Sequence, residues 1–387
     1  MSTASTSPSP IRRFISLDVA RGITIAFMIM VNNNGGSGSW GFMNHAHWNG
    51  LTPTDLVFPT FLFIVGVSIV FSTEARLAKG APRAQLAKHT IQRAAILFLF
   101  GVILNGFPFF HLEHYRIYGV LQRIAFCYLV VGLFYLWDNR ASTKVAALVA
   151  ALVGYWAILR FVPIPGIGTP GTDVPFMDIT RNLTSWIDRG LMPHHLYLDW
   201  PDHNTRDPEG LLSDLPSLGT ALMGVLTGLW LRTGRSVSAK ALGLAAASIG
   251  SLLVGYLWSL EFPLNKNMWT SSFVLVAGGY SLSLLALCFW AVEVRGWSKG
   301  WTWPWLVFGS NAIAAYVFSE LTPSLFEDVK VPAANGAHQS LGAMIFHNVF
   351  AHIPDPGWAA FGWSVSYAAF CFIPVWILYR KKIFLKV

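Results

Sequence analysis

Residues 44–66, NHAHWNGLTPTDLVFPTFLFIVG, decide the reading of this chain. Within a dozen positions they carry His45, His47, Asn49 and Asp55, and after Pro59 they run straight into an apolar segment with one polar side chain in its first turn. A connecting turn needs only Gly, Pro, Asn and Asp; paired histidines add nothing to it. Polar groups crowded against the start of an apolar helix mark the reacting end of a protein at a membrane edge.

The same apolar character extends in both directions. Of 387 residues 54% are hydrophobic and 12% charged, about half the charged share of a soluble chain. Runs of about 20 helical residues, enough to cross a hydrocarbon core, recur along the whole length. The expected fold is an all-α integral membrane protein of about ten transmembrane helices, at 15–33, 55–72, 89–106, 117–137, 143–161, 215–232, 240–260, 268–293, 303–320 and 357–379. Segment 340–353, with His347, Asn348 and His352, is too short to span and reads as a surface helix, or an eleventh element dipping in. The whole chain, 1–387, reads as one multi-pass domain with a disordered tail at 1–12. MSTASTSPSPIRR lacks the core and cleavage site of a signal peptide, so the N-terminus is expected to be retained. Cys127, Cys288 and Cys371 each fall inside a span and read as packing residues.

Basic residues mark the cytoplasmic side of short loops. The N-terminus, 73–88, 138–144, 232–240, 294–302 and the tail hold 17 of the 27 Lys and Arg residues, against seven on the opposite side, counting Arg160 at the edge of its span. Both termini are therefore expected in the cytosol. The opposite loops hold ten of the eleven histidines, all but His89, and most of the acids. The longest, 162–214, is too rich in Tyr and Trp for a disordered linker and reads as an ordered outward-facing, periplasmic cap.

Several polar groups sit where a membrane helix does not need them. Asp18 and Arg21 share one face of the first helix and read equally as a structural ion pair or as part of a ligand site, with Gly22 beside them favouring close packing. Asn32, Asn33 and Asn34 end that helix, as C-cap residues or as donors to a carbonyl or sugar hydroxyl. An imidazole pKa near 6.5 suits His45 or His47 to work as a base or acyl acceptor. Asp55 is either a helix N-cap or the carboxylate that orients an imidazole. Arg123, two turns into the span at 117–137, needs a partner: Gln122 and Asn105 around a cavity, or a buried pair with Asp55 or Glu113. Asn311, eight residues into its span, stands at mid-membrane and must find a partner. Neither His111 with His114 nor His194, His195 and His203 has the helical spacing that fixes two metal ligands, and no metal is expected. Walker A, G-x-S-x-G and dinucleotide motifs are absent, which removes support from ATP-driven transport and serine hydrolysis.

The stretches SLDVARGITIAFMIMVNN, HAHWNGLTPTDLVFPTFLFIVG, GVLQRIAFCYLV, RDPEGLLSDLPSLGTALMG, NKNMWTSSFVLVAGG, GSNAIAAYV and LYRKKIFLKV resemble the heparan-α-glucosaminide N-acetyltransferase family in its compact bacterial form. The resemblance implies a transmembrane acyltransferase of a bacterial inner membrane that carries acetyl from cytosolic acetyl-CoA to a glucosamine-type amino sugar outside. The family's catalytic histidine falls on His45 and its pocket asparagine on Asn32. Two departures leave alternatives open: His47 fills the variable position of the motif, and a longer Asn-Gly-Ser segment precedes Trp40. Asn34, His47, Asn49, Asp55, Arg123, Asp207, Glu209, Lys266 and Asn311 are expected on the substrate side. Arg21, Arg93 and Arg232 are expected to meet the CoA phosphates as fixed positive charges. The lumenal domain that animal members carry ahead of the first helix has no counterpart here, so the expected acceptor is a small amino sugar or glycan end. Membrane lipid and a second copy of the chain are further expected partners; nucleic acid is not. An amino-sugar transporter is the alternative reading, since ten helices and charges at mid-depth also describe carriers.

Overall fold

The computed structural model describes residues 14–36, 38–197, 205–332 and 338–385; the expected tail at 1–12 and His203 lie outside them. In hydrocarbon every backbone N–H and C=O must be satisfied within the segment, so each apolar run closes into a helix. Eight are long and apolar enough to span: α1 (Ile15–Asn32), α2 (Val57–Leu77, led by a 3-10 turn at Pro53–Leu56), α3 (Arg83–Gly106), α4 (Val120–Trp137), α5 (Ala141–Phe161), α8 (Val237–Trp258), α9 (Ser271–Phe289, continued by a π turn at Trp290–Val294) and α13 (Pro356–Arg380). The protein is an all-α integral membrane protein.

The other two expected spans take different forms. α7 (Asp214–Leu231) is buried on nearly every face and carries Asp214, Ser217, Thr220 and Thr227 inward, so the protein rather than lipid surrounds it. The run at 303–320 is broken: α10 (Trp303–Ser310) stops at Asn311, and α11 (Ala312–Asp328) restarts there. Asn311 is therefore not an amide in an unbroken mid-membrane helix. Its Nδ2 donates to Ile383 O (3.1 Å) and its Oδ1 accepts from Leu385 N (2.9 Å), so the chain's C-terminal segment docks on the break.

Burial separates an inner from an outer layer. The spanning windows of α1, α2, α4 and α9 are 56–67% buried and those of α3, α5, α8 and α13 only 11–28%; the first group with α7 forms the core, and the second turns its apolar side chains to lipid. Inner helices approach closely through small residues. A Cβ on Gly66 of α2 would lie 2.0 Å from Ala221 O of α7, and one on Gly22 of α1 would lie 1.8 Å from Trp305 O of α10. Polar side chains inside this layer pair across helices: Thr60 with Ser281 at 2.9 Å, and Trp269 Nε1 donating to Thr220 Oγ1 at 3.1 Å.

The segment expected to form a cap contains α6 (Leu183–Leu191), started by Asn182 accepting from Ser185 N. It packs a small core of its own, with Ile164, Val174 and Leu183 against Tyr155, Leu159, Phe262 and Met268. Two short antiparallel strands not foreseen in the sequence, β1 (Lys330–Pro332) and β2 (His338–Ser340), precede α12 (Leu341–Val349), the expected short surface helix, of which no residue is buried. The three cysteines are free and buried.

Candidate functional site

Asp55 organises the end of the bundle where α2 begins. Thr52 and Asp55 form a reciprocal capping box, which closes the exposed N–H groups of the helix start. The Asp55 carboxylate has 1% side-chain exposure; its Oδ2 accepts from Thr52 N (2.9 Å) and Ala46 N (3.2 Å). Its Oδ1 lies 2.7 Å from Nδ1 of His45. A carboxylate held by backbone N–H groups only accepts, so Nδ1 carries the proton and Nε2 presents a lone pair. Asp55 is both cap and orienter, and the two readings of its sequence position merge.

Lys266 completes the arrangement. Its Nζ is 3.1 Å from Nε2 and 3.3 Å from Nδ1 of His45. A point that close to both nitrogens in the ring plane would overlap Cε1, so the ammonium stands over the ring face and leaves the in-plane lone pair of Nε2 unengaged. Burial and the Lys266 charge hold the His45 pKa below its usual 6.5, against the opposing pull of Asp55. The imidazole side chain is still 49% exposed, as a group must be if a substrate is to reach it. Burial also lowers the pKa of Lys266, assisted by Arg123 and Arg116 and opposed by Glu209 and Asp55.

The loop carrying His45 is locked onto the loop carrying Lys266. Gly50 N donates to Leu264 O (2.8 Å), and Asn265 Nδ2 donates to Asn49 Oδ1 (3.1 Å). Asn265 is fully buried and also receives Met268 N at 2.9 Å. Asn49 thus joins the two loops through its side-chain carbonyl. His47 is exposed and makes no hydrogen bond to described residues, so of the two histidines only His45 has a carboxylate behind it.

The three asparagines at the end of α1 diverge. Asn32 Nδ2 donates to Glu320 Oε1 of α11 at 3.0 Å. Asn33 Nδ2 turns back to Ile29 O, and Asn34 Nδ2 donates to Asn44 Oδ1 at 2.8 Å, next to His45 in the chain. Asn34 shapes the histidine loop, and Asn32 faces an acid in the bundle. Glu320 escaped the sequence reading, although the rule applied to Asp18, that a charge inside an apolar span is there for a reason, would have found it.

A buried ionic cluster stands behind the site. Arg116 donates through Nε to Asp207 (2.9 Å) and through Nη2 to Asp207 (2.6 Å) and Glu209 (2.5 Å). Burial works against the Arg116 charge, but the two acids outweigh it and raise its pKa; burial likewise raises Asp207, while Arg116, Arg123 and Lys266 hold Glu209 below its usual value. Asp207 and Glu209 are thus held by Arg116, and Glu209 acts on His45 and Lys266 through its field. Arg123 lies in the first turn of α4, not two turns down, and is fully buried. Its partner is neither Asp55 nor Glu113: Nε donates to Asp214 Oδ1 at 3.0 Å, Nη2 to Gly210 O at 3.1 Å and to Ser213 Oγ, and the guanidinium lies 4.9 Å from the Trp269 ring centroid. Gln122 and Asn105 bond to backbone carbonyls instead.

The remaining expected residues lie elsewhere. Arg21 reaches Asp18 Oδ1, Gly309 O and Ser68 Oγ, each at 3.1 Å. Arg232 pairs with Glu74 at 3.0 Å, and Arg93 lies 5.1 Å from the Tyr128 ring centroid. Asn311 sits beside this set, since Gly309, two residues before it, packs on Asp18 O, and it is set apart from His45. His195 Nδ1 bonds to Tyr115 O at 2.9 Å, and among the described residues no three His, Cys, Asp or Glu side chains are grouped to hold a metal.

The family model described as the catalytic part of heparan-alpha-glucosaminide N-acetyltransferase matches residues 13–186, which include Asn32, His45 and Asp55. Over that region the chain is similar to this family. Heparan-alpha-glucosaminide N-acetyltransferase of Mus musculus is 28% identical over 99% of this chain, and that of Homo sapiens 29% over 97%. The chain covers 62% and 60% of those proteins, about three-fifths of their length. The similarity to these two proteins runs over nearly the whole chain, past the end of the matched family region at residue 186.

Proposed function

We propose that the protein is a transmembrane acetyltransferase that carries an acetyl group from cytosolic acetyl-CoA to the amino group of a glucosamine-type sugar on the far side of the membrane. The observation that carries this reading is the His45–Asp55 pair, with Nδ1–H fixed on a buried carboxylate and Nε2 facing no acid, its ring face under Lys266 Nζ at 3.1 Å. In the transfer the sugar amine forms a C–N bond to the thioester carbonyl carbon and loses a proton to Nε2, the C–S bond breaks, and the imidazolium returns the proton to the CoA thiolate. A depressed His45 pKa keeps Nε2 unprotonated at neutral pH, as a base requires. Asn32, with its amide nitrogen anchored on Glu320, is the side chain assigned to the carbonyl oxygen as negative charge develops there. Lys266 over the ring opposes premature protonation.

The positive-inside rule places the termini and the Arg21, Arg93 and Arg232 end in the cytosol and the His45 end outside, in a bacterial inner membrane. On this topology donor and acceptor approach from opposite faces, and a lone base at the far end suits a reaction in which only the acyl group crosses. The carrier reading draws on one observation, the helix broken at Asn311, because carriers build midplane sites from broken helices. Here the amide at the break is taken by Ile383 and Leu385, which leaves it no solute to hold. Purified protein supplied with acetyl-labelled CoA and glucosamine tests the proposal: label should appear on the sugar nitrogen, and its absence with protein that remains folded would refute it.

A further inference from the structure

At the end of α2 opposite His45, the structure holds a basic groove. α2 has 21 residues, so at 1.5 Å per residue its two ends are about 30 Å apart. It closes through Gly80, with φ +82°, where Lys79 N and Ala81 N both return to Arg76 O at 3.1 Å. That glycine-ended cap folds the chain sharply into α3 and leaves a cavity of 570 Å³ between the two helix ends, lined by Arg76, Lys79, Gln85, Lys88, His89 and Gln92.

The lining carries three fixed cations and a histidine and no carboxylate. The nearest acid on α2, Glu74, is engaged by Arg232 Nη2 (3.0 Å) and Tyr135 OH (2.8 Å), and no ion pair joins Arg76, Lys79 or Lys88 to a described acid. Gln85, Lys88, His89 and Gln92 lie at helical i, i+3 and i+4 spacings on one face of α3. The first turn of that helix has no side-chain cap, so its N–H groups and dipole add positive potential at the same place. Arg116 and Arg123 at the other end are matched by acids; here like charges converge on a recess large enough for a ligand.

We propose that this groove binds a phosphate-bearing anion, a diphosphate or phosphomonoester, with Arg76 and Lys88 as its principal cations and Gln85 and Gln92 as neutral donors to the remaining oxygens. Two sources share that chemistry. One is a soluble phosphoadenosine nucleotide; the other is an anionic phospholipid headgroup, whose acyl chains would follow the same face of α3 past Ile96 and Leu99, which are 43% and 58% exposed. The nucleotide source rests on the acyl-transfer reading, because that nucleotide is part of the CoA headgroup; the lipid source does not.

Full-length protein in detergent is titrated with pyrophosphate and with adenosine 3′,5′-bisphosphate, and native mass spectrometry follows retained phosphatidylglycerol. Wild type is compared with Arg76→Gln/Lys88→Gln and with Lys381→Gln, an exposed cation outside the groove. The expected result is at least tenfold weaker binding of one probe class in the double variant alone, relieved in wild type by raised salt. Loss confined to the soluble anions identifies the nucleotide source, and loss confined to phosphatidylglycerol identifies the lipid. If the double variant does not fold, Lys79→Gln on the exposed turn replaces it. Equal binding of all probes by wild type and groove variant, or equal loss with Lys381→Gln, overturns the proposal.

Discussion

The two ends of α2 treat charge in opposite ways. Where the helix begins, four basic groups are set against an acid or an imidazole: His45 on Asp55, Arg116 on Asp207 and Glu209, Arg123 on Asp214, and Lys266 over His45 within the field of Glu209. Where it ends, Arg76, Lys79 and Lys88 line a recess without an acid. Buried and mutually bonded charges cannot move, and fixed positions are what proton transfer needs. Unmatched charges at a wet rim cost little while hydrated and gain when an anion arrives. The first arrangement suits chemistry on a neutral group, the second suits holding a charged one.

The largest expected effect breaks the first end. His45→Ala should lower acetyl transfer by about 10²- to 10⁴-fold, and His47→Ala should cost much less, because no carboxylate orients His47; steady-state rates with a saturating donor decide, and the reverse order would move the site to His47. Next comes Asp55→Asn, which keeps the shape but offers Nδ1 an amide that can present either end. A loss of about 10²-fold is expected, with the helix start intact by circular dichroism.

These two predictions mark how far the sequence was legible. Hydropathy located nearly every helix, and the crowding in residues 44–55 pointed to the candidate site, because both signals are local. What escaped is long-range. Arg123 was known to need a partner, but Asp214 stands 91 residues away and no periodicity joins them. Asn311 looked like a buried amide because both halves of its run are apolar; only the docked tail shows that the helix stops there. The roles of Asn32, Asn33 and Asn34 followed from where each side chain points as α1 ends, which depends on α11, α13 and the histidine loop together. Asp55 left two readings in the sequence because one carboxylate serves both, with its two oxygens facing different donors.

Smaller effects sharpen the comparison. Lys266→Met removes the charge that disfavours imidazolium, so the His45 pKa should rise and the acidic limb of the pH–rate profile should move to higher pH. An unmoved limb would mean that Lys266 does not act through His45. Asp188, buried in the cap, has its pKa pushed up to about 7 by burial. A carboxyl that ionises near its ordinary value in the unfolded chain but near neutrality in the folded one contributes stability at low pH that is lost as pH rises toward 7. Thermal melts of Asp188→Asn should lack that part of the decline seen in wild type.

The central claim is that only the acyl group crosses the membrane, from a cytosolic donor to an acceptor at the His45 end. Sealed vesicles with acetyl-CoA inside and glucosamine outside test it directly, in molecules whose termini face inward. The account predicts N-acetylglucosamine outside and free CoA inside, both abolished by His45→Ala. Accumulation of unmodified glucosamine inside, at a rate indifferent to acetyl-CoA, would contradict it.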